Sequence, residues 1–217
     1  MTDEAPRRTG EPQHYFSRLP DAPSRARTLR LSLAGRDLEV LTESGVFSAE
    51  RLDLGTRVLL REVPEPPGTG HLLDLGCGWG PLALAMAIRS TQAQVWAVDV
   101  NERAVGLTAR NAERAGLTGI RACTPDQVPE ELRFAAIWSN PPIRVGKPAL
   151  HALMLRWLPR LEVGGEAYLV VQRNLGADSL HAWLTEGLGP GFEVARVGSA
   201  KGYRVLRVRR QEPAVTG

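Results

Sequence analysis

The stretch from His71 to Ser90, HLLDLGCGWGPLALAMAIRS, decides which fold this sequence can adopt. It begins with a short apolar run, passes through a turn with glycine at 76, 78 and 80, and continues into an apolar segment of helical length. Glycine in such a turn lets the backbone bend sharply and lets a ligand approach without interference from a Cβ atom. The pattern predicts a strand, a glycine turn and a helix, with a ligand site beyond the carboxyl end of the strand.

The same alternation continues toward the C-terminus. Further strands are predicted at QVWAVDV, IRAC, FAAIWSN and GEAYLVVQ, and further helices at NERAVGLTARNAERAG, ALHALMLRWLPRL and SLHAWLTEGL. Asn101 is the expected N-cap of the second of these helices, and Gly116 is its expected C-cap. FEVARV and YRVLRVR, joined through residues 198–202, predict a closing hairpin. Apolar strands that alternate with helices indicate an α/β fold with a mostly parallel sheet covered on both faces.

The first 63 residues differ in character. Residues 1–13 are rich in charge, Pro and Gly, and predict a disordered tail. LRLSLAGRDLEVLT, at 29–42, alternates apolar and polar residues around a Gly-containing turn and predicts a β-hairpin. Helical spacing predicts a helix from Ser48 to Val63, closed by the loop PEPPGTG. We therefore expect a tail at 1–13, an N-terminal extension at 14–63, a main domain at 64–210 and a second tail at 211–217.

Composition narrows the functional classes. With 217 residues, 43% of them hydrophobic, the chain is long enough for one full domain with its own core. No sequence window reaches the roughly 18 consecutive apolar residues of a membrane span, and the polar start has no signal-peptide core. We therefore expect a cytoplasmic protein that does not enter a membrane. The two cysteines and four histidines have no metal-ligand spacing, so no metal site is predicted.

The net charge of +3 is unevenly placed. Residues 1–30 hold six Arg against four acidic residues, and residues 201–217 hold five basic residues against one acidic residue. This distribution permits a polyanionic partner that approaches from the flanks. Because 25 of the 27 basic residues are Arg, codon usage is an equally good explanation, and charge alone identifies no partner.

Two acidic residues make the glycine turn more specific. Asp74 directly precedes it, and Asp99 ends the second strand 25 residues later, where an acid can accept hydrogen bonds from ribose hydroxyls. The spacing differs from the dinucleotide fingerprint G-x-G-x-x-G, although a dinucleotide dehydrogenase or a ligand-free turn stays an alternative. The pattern D-x-G-x-G-x-G, with an acid after the second strand, resembles the S-adenosylmethionine (SAM) site of Rossmann-like methyltransferases.

This resemblance implies a set of cofactor-binding residues. Asp74 would lie near the methionine end of SAM, Asp99 would hold the ribose, and Asp126 would contact the adenine amino group. Thr124 or Gln127 could replace Asp126 in that role. Cys77 is expected to be a small packing residue in the turn and not a nucleophile. The implied set is Asp74, Gly76, Cys77, Gly78, Gly80, Asp99, Val100, Asp126 and Asn140.

The stretch SNPPIRVGK, at 139–147, supplies the candidate catalytic residues Asn140, Pro141 and Pro142. The Asn140 side-chain oxygen can accept a hydrogen bond, and we expect Pro141, which has no N–H, to leave its own carbonyl free. Two acceptors on the N–H bonds of an exocyclic amine favour a pyramidal nitrogen and point its lone pair at the SAM methyl group. No strong general base is required, because the nitrogen becomes cationic and loses its proton afterwards. A simple strand-ending turn is the alternative.

The motifs taken together resemble a known family. Asn-Pro-Pro is typical of methyltransferases that act on adenine, guanine or glutamine amide nitrogens. The ordered set is HYFS (14–17), GVFS (45–48), DLGCGWGP (74–81), VDVNERAV (98–105), SNPPIRVGK (139–147) and KGYRV (201–205). It is similar to the small-domain methyltransferases related to the bacterial enzyme that makes N2-methylguanosine in 16S ribosomal RNA. Larger relatives carry an additional, degenerate N-terminal copy of the domain, and this chain carries one copy.

The resemblance implies a Rossmann-like fold with a mostly parallel seven-stranded sheet and an antiparallel C-terminal strand. It implies SAM as cofactor, S-adenosylhomocysteine as product and an RNA guanine amine as acceptor. The sequence does not determine the oligomeric state, and we favour a monomer. Phe47 would lie near SAM, whereas Val46 is expected to pack as part of a hydrophobic loop. Ile143, Arg144 and Lys147 would face the substrate, and the two cations would contact its phosphate or base. Solvated loop charge is the alternative for both.

Two departures from the family pattern leave the substrate open. Many Asn-Pro-Pro enzymes continue with an aromatic residue that stacks on the target base, and this chain has Ile143 there. Ala135 replaces the usual acid after Phe134, which we interpret as a packing change. The alternatives are a protein glutamine-amide methyltransferase, an enzyme for DNA adenine or a small-molecule amine, and a catalytically silent RNA-binding module.

Overall fold

The computed structural model describes residues 26–43, 45–46 and 51–212. Within them the chain forms nine β-strands and five α-helices in the order ββαβαβαββαβαββ. The helices are α1 (Leu54–Glu62), α2 (Pro81–Arg89), α3 (Glu102–Arg114), α4 (Lys147–Trp157) and α5 (Ala177–Gly187). The strands are β1 (Ala26–Leu33), β2 (Arg36–Glu43), β3 (His71–Leu75), β4 (Gln94–Val98), β5 (Ile120–Cys123), β6 (Phe134–Ser139), β7 (Leu161–Gln172), β8 (Phe192–Ala200) and β9 (Tyr203–Arg210).

Seven strands form the main sheet, in the order β5-β4-β3-β6-β7-β9-β8. The pairs from β5 to β7 are parallel, whereas β9 runs antiparallel to both β7 and β8. This is the predicted mostly parallel seven-stranded sheet with an antiparallel C-terminal strand. The direction of winding reverses between β3 and β6, which are neighbours in the sheet although 58 residues (76–133) lie between the end of β3 and the start of β6. Such a switch point opens a crevice at the carboxyl ends of the strands.

Both faces of the sheet are covered, because successive strand residues point to opposite sides. Leu72 belongs to a core cluster with α1 and α2, while its neighbour Leu73 belongs to a cluster with α4 and α5. Both leucines are fully buried. The near-continuous apolar strands of the sequence therefore have the cause we predicted, burial on two faces.

The predicted hairpin forms a separate two-stranded sheet of β1 and β2, paired from Ala26↔Glu43 to Leu33↔Arg36. Its apolar side packs with α2 and α3 in a third core cluster that includes Trp79 and, as predicted, Val46. The buried side chain of Asn111 on α3 fixes the hairpin. Its Oδ1 accepts the Leu41 N–H at 2.7 Å, and its Nδ2 donates to the carbonyls of Leu41 and Trp79, both at 2.9 Å.

The N-terminal helix is shorter than the sequence predicted. The prediction placed its start at Ser48, but residues 51–53 are not helical and α1 begins at Leu54. Asp53 is the cause, because its backbone is extended and its side chain accepts the Thr56 N–H, which makes it the N-cap. The helix packs on β7 and β9 of the main sheet. The predicted domain boundaries at 14, 64 and 211 stay predictions.

Other predicted elements agree with the structure within a few residues. Asn101 is the N-cap of α3, and Gly116 follows the C-cap in a left-handed conformation with φ of 67°. Helix α4 ends at Trp157 instead of Leu161, because Pro159 lies in a 3-10 turn that follows it. Among the described residues, no helix is long and apolar enough to cross a membrane.

Candidate active site

The switch point brings the two predicted motifs together. Strand β3 runs into the glycine turn and β6 runs into Asn140, and their register pairs Leu75 with Ser139. The buried Ser139 hydroxyl donates to the Leu75 carbonyl at 2.7 Å and ties the two strand ends together. Gly76 and Asn140 consequently line one small pocket at the carboxyl edge of the sheet. The other residues of this pocket that matter here are Asp53, Thr56, Asp74 and Cys77.

The glycine turn is held by its own backbone. The N–H groups of Gly76 and Cys77 both donate to the Val98 carbonyl of β4, at 2.8 and 3.1 Å. Gly76 has φ of 79°, which an L side chain rarely adopts, and a Cβ there would meet no atom within 4 Å. This open space above an exposed glycine leaves room for a ligand to approach the backbone at Gly76, and the cofactor contact that the resemblance implies there stays a prediction.

Asp74 is a fully buried carboxyl group directly under the turn. Its Oδ2 accepts the Ala83 N–H at 2.9 Å, and so it caps α2, whose own N-cap is Gly80 and has no side chain. Its Oδ1 has no hydrogen-bond partner. Burial, with a smaller contribution from the Asp99 charge, raises the pKa of Asp74 to about 8. A buried acceptor without a partner, in a ligand pocket, suits a cationic ligand group.

Asp99 ends β4 as predicted and is fixed by backbone donors. Its Oδ1 accepts the Asn101 N–H at 2.9 Å, and its Oδ2 accepts the Gly78 N–H at 3.0 Å. Burial raises its pKa from the ordinary value. A carboxylate has about four lone-pair sites, so Asp99 keeps accepting capacity for a ligand hydroxyl. Val100, next in the chain, is 41% exposed, an unusual state for a valine after a buried strand.

The adenine-side prediction falls on a short 3-10 turn, Pro125–Gln127, after β5. Gln127 Oε1 accepts the Thr124 N–H at 2.9 Å and lies 3.1 Å from the Thr124 hydroxyl. The two alternatives to Asp126 therefore bond to one another. Asp126 itself is exposed at the same edge of the sheet as Asp99.

Asn140 has a determined orientation. Its Nδ2 donates to Asp53 Oδ2 at 2.8 Å and to the Thr56 hydroxyl oxygen at 3.1 Å. A carboxylate oxygen can only accept, so the nitrogen of the amide must face Asp53. Both N–H bonds of Asn140 are thereby occupied, and its Oδ1 is left as an acceptor at the pocket.

The Pro141 carbonyl is not free, contrary to the prediction. It accepts the Ile143 N–H at 2.9 Å, in a turn centred on Pro142 with φ of −75° and ψ of 80°. These angles are close to those of an inverse γ-turn, and a proline ring favours that φ. Pro142 therefore fixes the direction of the Pro141 carbonyl, which keeps one lone pair for a further donor.

The three predicted substrate residues follow in a 3-10 turn and the start of α4. Arg144 and Lys147 are exposed, whereas Ile143 is half-buried and packs on the core cluster of α4 and α5. The two cations lie beside the Asn140 loop, and Ile143 has no aromatic surface to offer a base.

Three predicted cofactor residues have a different status. Cys77 is 3% exposed and burial raises the pKa of its thiol, consistent with the packing role that we expected. Gly80 has φ of 92°, and a Cβ there would lie 2.8 Å from Thr108 Cγ2, so the structure gives this glycine a packing reason. Phe47, like the motif at 14–17, lies outside the described residues.

The Asn140 amide is surrounded by residues that were not predicted from the sequence, namely Asp53, Gly55 and Thr56. A Cβ on the buried Gly55 would lie 2.9 Å from both Asp53 Oδ2 and Tyr203 Cε1, and 3.3 Å from Asn140 Nδ2. The sequence Asp-Leu-Gly-Thr does carry the signal of an N-cap, an Asp three residues before a Thr whose N–H it accepts. Nothing local connects it to Asn140, which is 87 residues away.

The doubly wound sheet and the pocket at its switch point, with a glycine turn, an acid after β4 and Asn-Pro-Pro after β6, define a Rossmann-like methyltransferase that uses SAM. Residues 37–207 match the family model described as methyltransferase small domain, and the chain belongs to this family. Among the described residues, no group of three or more His, Cys, Asp or Glu side chains is arranged to hold a metal ion.

Individual relatives agree with this assignment. The chain is 36% identical to YbxB, an uncharacterised Bacillus subtilis protein, over 91% of this chain and 98% of that one. It is also 36% identical to the ribosomal RNA small subunit methyltransferase C of Pseudomonas aeruginosa, over 88% of this chain and 57% of that enzyme.

A solved structure, the Thermus thermophilus 16S rRNA N2 methyltransferase RsmC in complex with AdoMet and guanosine, superposes with a TM-score of 0.72 at 28% identity. The match covers 88% of this chain and 52% of that one. This chain thus spans little more than half the length of the ribosomal RNA methyltransferases it matches.

Proposed function

We propose that this protein transfers the methyl group of SAM to the exocyclic N2 amine of a guanine in ribosomal RNA, of the 16S type. The observation that carries the proposal is the orientation of Asn140. Both of its N–H bonds are engaged by Asp53 and Thr56, so the Asn140 side chain presents an acceptor oxygen and no free N–H to the pocket. An amine with two hydrogens to donate is the acceptor chemistry that such a site fits.

The cofactor part of the site suits a cation. SAM carries a sulfonium and an ammonium. The carboxyl groups of Asp53 and Asp74 line the pocket, and that of Asp99 is bonded to the adjoining glycine turn at Gly78. In our proposal the unpartnered Asp74 Oδ1 faces the ammonium, and Gly76, Cys77 and Gly78 form the floor. Asp99 accepts the ribose hydroxyls, and the exposed Val100 packs on the adenine. For three further positions the proposal follows the family resemblance. Asp126 would accept a hydrogen bond from the adenine amino group, Phe47 would cover the bound SAM, and Gly80 would contact SAM directly.

The chain's residues would act on the acceptor by position and not by proton abstraction. Bound SAM supplies a methyl group on a positively charged sulfur, which leaves as a neutral thioether when the nitrogen bonds to the carbon. Asn140 Oδ1 and the remaining lone pair of the Pro141 carbonyl would each accept a hydrogen bond from one amine N–H. These two bonds would direct the nitrogen lone pair at that carbon. The nitrogen then loses one proton to water.

Three observations support RNA as the partner. Two of the three reported relatives are named as ribosomal RNA methyltransferases, and the solved one is in complex with guanosine. Arg144 and Lys147 stand exposed beside the Asn140 loop, where phosphates would lie. Ile143 counts against the glutamine-amide alternative, whose enzymes usually carry an aromatic residue there.

A transfer assay tests the proposal. Methyl-labelled SAM is incubated separately with total RNA, isolated ribosomal subunits and total protein from cells that lack the gene, and labelled RNA is digested to nucleosides for mass identification. We expect the label in N2-methylguanosine from RNA or the small subunit. Label in protein would replace the proposal with glutamine-amide methylation. SAM binding without transfer to any fraction would contradict an enzymatic role on these acceptors.

A further inference from the structure

We infer that Asp53 is a positioning residue for methyl transfer, one that sets the orientation of the Asn140 amide and thereby presents its Oδ1 to the acceptor amine. This inference rests on the proposed function, because it assigns a purpose to the orientation of Asn140. Asp53 lies before α1, in a part of the chain remote from both predicted motifs. Its carboxyl group nevertheless lines the pocket with Gly76 and Asn140.

One carboxylate oxygen performs two tasks. Asp53 Oδ2 accepts the Thr56 N–H at 3.0 Å, which caps α1, and accepts the Asn140 Nδ2–H at 2.8 Å. The first bond is local and belongs to helix capping. The second bond joins α1 to the end of β6, and a cap alone does not require it. The two tasks can therefore be separated by substitution.

A fixed acceptor is needed at residue 53 because the Asn140 amide can be rotated by half a turn at little steric cost. If the Asn140 amide were reversed, its Oδ1 would face the Asp53 oxygen, and two acceptors would oppose each other without a hydrogen. The Thr56 hydroxyl cannot prevent this reversal by itself, since a hydroxyl can either donate or accept. Asp53 thus determines the orientation and Thr56 supplements it.

The surrounding packing keeps the contact short. Gly55 separates Asp53 from the ring of Tyr203, and a Cβ at Gly55 would lie 2.9 Å from each of them. Tyr203 is the aromatic residue of the KGYRV motif, for which the sequence offered no role. Tyr203 is half-buried, and its ring and the Asp53 carboxylate lie on either side of Gly55, each within 2.9 Å of where a Cβ on that glycine would be. Burial, with a smaller contribution from the Asp53 charge, raises the pKa of Tyr203. Glycine at 55 allows α1, β9 and the Asn140 loop to meet.

Two substitutions of Asp53 separate capping from positioning. Serine is a good N-cap, but its shorter side chain does not reach Asn140, so Asp53→Ser should keep α1 and release the amide. Asparagine keeps an acceptor oxygen at the same reach without the charge, and the Thr56 N–H, which can only donate, would hold that oxygen in the place of Asp53 Oδ2. Asp53→Asn should therefore retain both bonds. We expect Asp53→Ser to lower kcat about 10- to 100-fold, the scale of a misplaced reacting group, and Asp53→Asn to lower it less than about 5-fold.

Three further measurements are made on the same variants. KM and Kd for SAM should change less than about 3-fold in both variants, because the inferred role concerns the acceptor. The melting temperature of Asp53→Ser should match that of Asp53→Asn. In an Asn140→Ala background, adding Asp53→Ser should lower the residual rate no further, since a residue that acts only through Asn140 has nothing left to position.

A second pair keeps the test decisive if Asp53→Ser does not fold. Thr56→Val removes the hydroxyl acceptor at nearly constant volume and Thr56→Ser restores it, so we expect a smaller loss of kcat in Thr56→Val that Thr56→Ser recovers. Unchanged kcat in Asp53→Ser, or in Thr56→Val if that is the folded variant, would overturn the inference. So would equal losses in Asp53→Ser and Asp53→Asn, or a loss confined to SAM binding. Failure of the proposed function is a separate result, an absence of methyl transfer to RNA by the unsubstituted protein.

Discussion

Asp74 is the residue whose protonation the structure constrains most strongly. In the unfolded chain its pKa is near 3.8, and burial raises it to about 8 in the folded protein. Between these values the folded protein holds a proton that the unfolded chain has released. The contribution of Asp74 to stability is therefore fully present below pH 4, declines as pH rises, and is lost above about pH 8.

The substitution Asp74→Asn tests this assignment. An amide keeps an oxygen for the Ala83 N–H and carries no charge, so the variant should not share the decline. The free energy of unfolding of both proteins is measured by urea denaturation at several pH values. We expect the difference, variant minus unsubstituted protein, to increase by up to about 1.4 kcal/mol per pH unit between pH 5 and 8. Parallel pH profiles for the two proteins would contradict a raised pKa for Asp74.

SAM affinity should show the opposite trend at the same residue. A bound ammonium favours the carboxylate form, so binding expels the proton of Asp74 and strengthens as pH rises toward 8. We expect the calorimetric Kd to fall by up to about 10-fold per pH unit from pH 6 to 7.5 relative to Asp74→Asn. Ionisation of SAM itself affects both proteins alike, so Asp74→Asn is the control for it. Equal pH dependence in both would show that Asp74 does not meet the ammonium.

Residues of the site differ in how far the sequence reveals them. Gly76, Asp99 and Asn140 stand in local patterns after strands, and the carboxyl ends of parallel strands meet at one edge, so their proximity was predictable. The contact of Asp53 with Asn140 depends on where α1 docks on the sheet, and no pattern of spacing encodes that. The Pro141 carbonyl was predicted to be free because proline has no N–H of its own. That property does not exclude a bond from another donor, and the Ile143 N–H supplies one.

At the scale of elements, the glycine turn and α3 are joined by close packing. Thr108 on α3 is fully buried, and its hydroxyl donates to the Gly78 carbonyl at 3.0 Å. Gly80 lies against the same side chain, which leaves no space for a Cβ. The third glycine of the motif is therefore required by helix packing, whether or not it also touches the cofactor.

Gly80→Ala should be costly for two reasons, a left-handed φ and a Cβ 2.8 Å from Thr108 Cγ2. We expect a loss of about 2–4 kcal/mol in the free energy of unfolding. Gly116→Ala is the matched control, because Gly116 also has a left-handed φ but has open space around a Cβ. That control should cost only about 1–2 kcal/mol. Equal losses in urea denaturation would remove the packing argument.

Element boundaries show where sequence patterns fail. The helix predicted from Ser48 begins at Leu54, because the apolar periodicity extends beyond the Asp53 cap, at which the helix starts. In contrast, Asn101 was assigned correctly as the N-cap of α3, and the predicted C-cap Gly116 is one residue beyond the actual C-cap, Ala115. At both ends of this helix a capping residue coincides with the end of the periodicity. Local capping chemistry therefore outweighs periodicity in deciding where a helix begins.

At the scale of the whole molecule, the fold could be predicted from the sequence, but the surface that binds the methyl acceptor could not. Seven apolar segments alternating with helices leave few arrangements other than a doubly wound parallel sheet. Which surface meets RNA depends instead on side chains from loops far apart in the sequence, and a net charge of +3 does not locate it. The structure places Arg144 and Lys147 at the carboxyl edge, beside Asn140, and Arg133 before β6 at the opposite edge.

Salt dependence of RNA binding can distinguish these edges. Each phosphate contact contributes about 0.7–0.9 to the slope of log affinity against log salt concentration. We expect the double variant Arg144→Ala/Lys147→Ala to reduce that slope by about 1.5 in fluorescence anisotropy with the acceptor RNA. Arg133→Ala is the control, and its slope should equal that of the unsubstituted protein. A reduced slope in the control alone would place the RNA at the opposite edge.

The most direct test of the account is the single-turnover rate of Asn140→Ala with saturating SAM and the RNA fraction labelled in the transfer assay. Loss of the acceptor oxygen should lower that rate about 10²–10³-fold, the scale of losing one preorganised hydrogen-bonding group at a reacting centre. The Kd for SAM, measured on the same preparation, should change by less than about 3-fold. A rate within 10-fold of the unsubstituted protein would contradict the role assigned to Asn140.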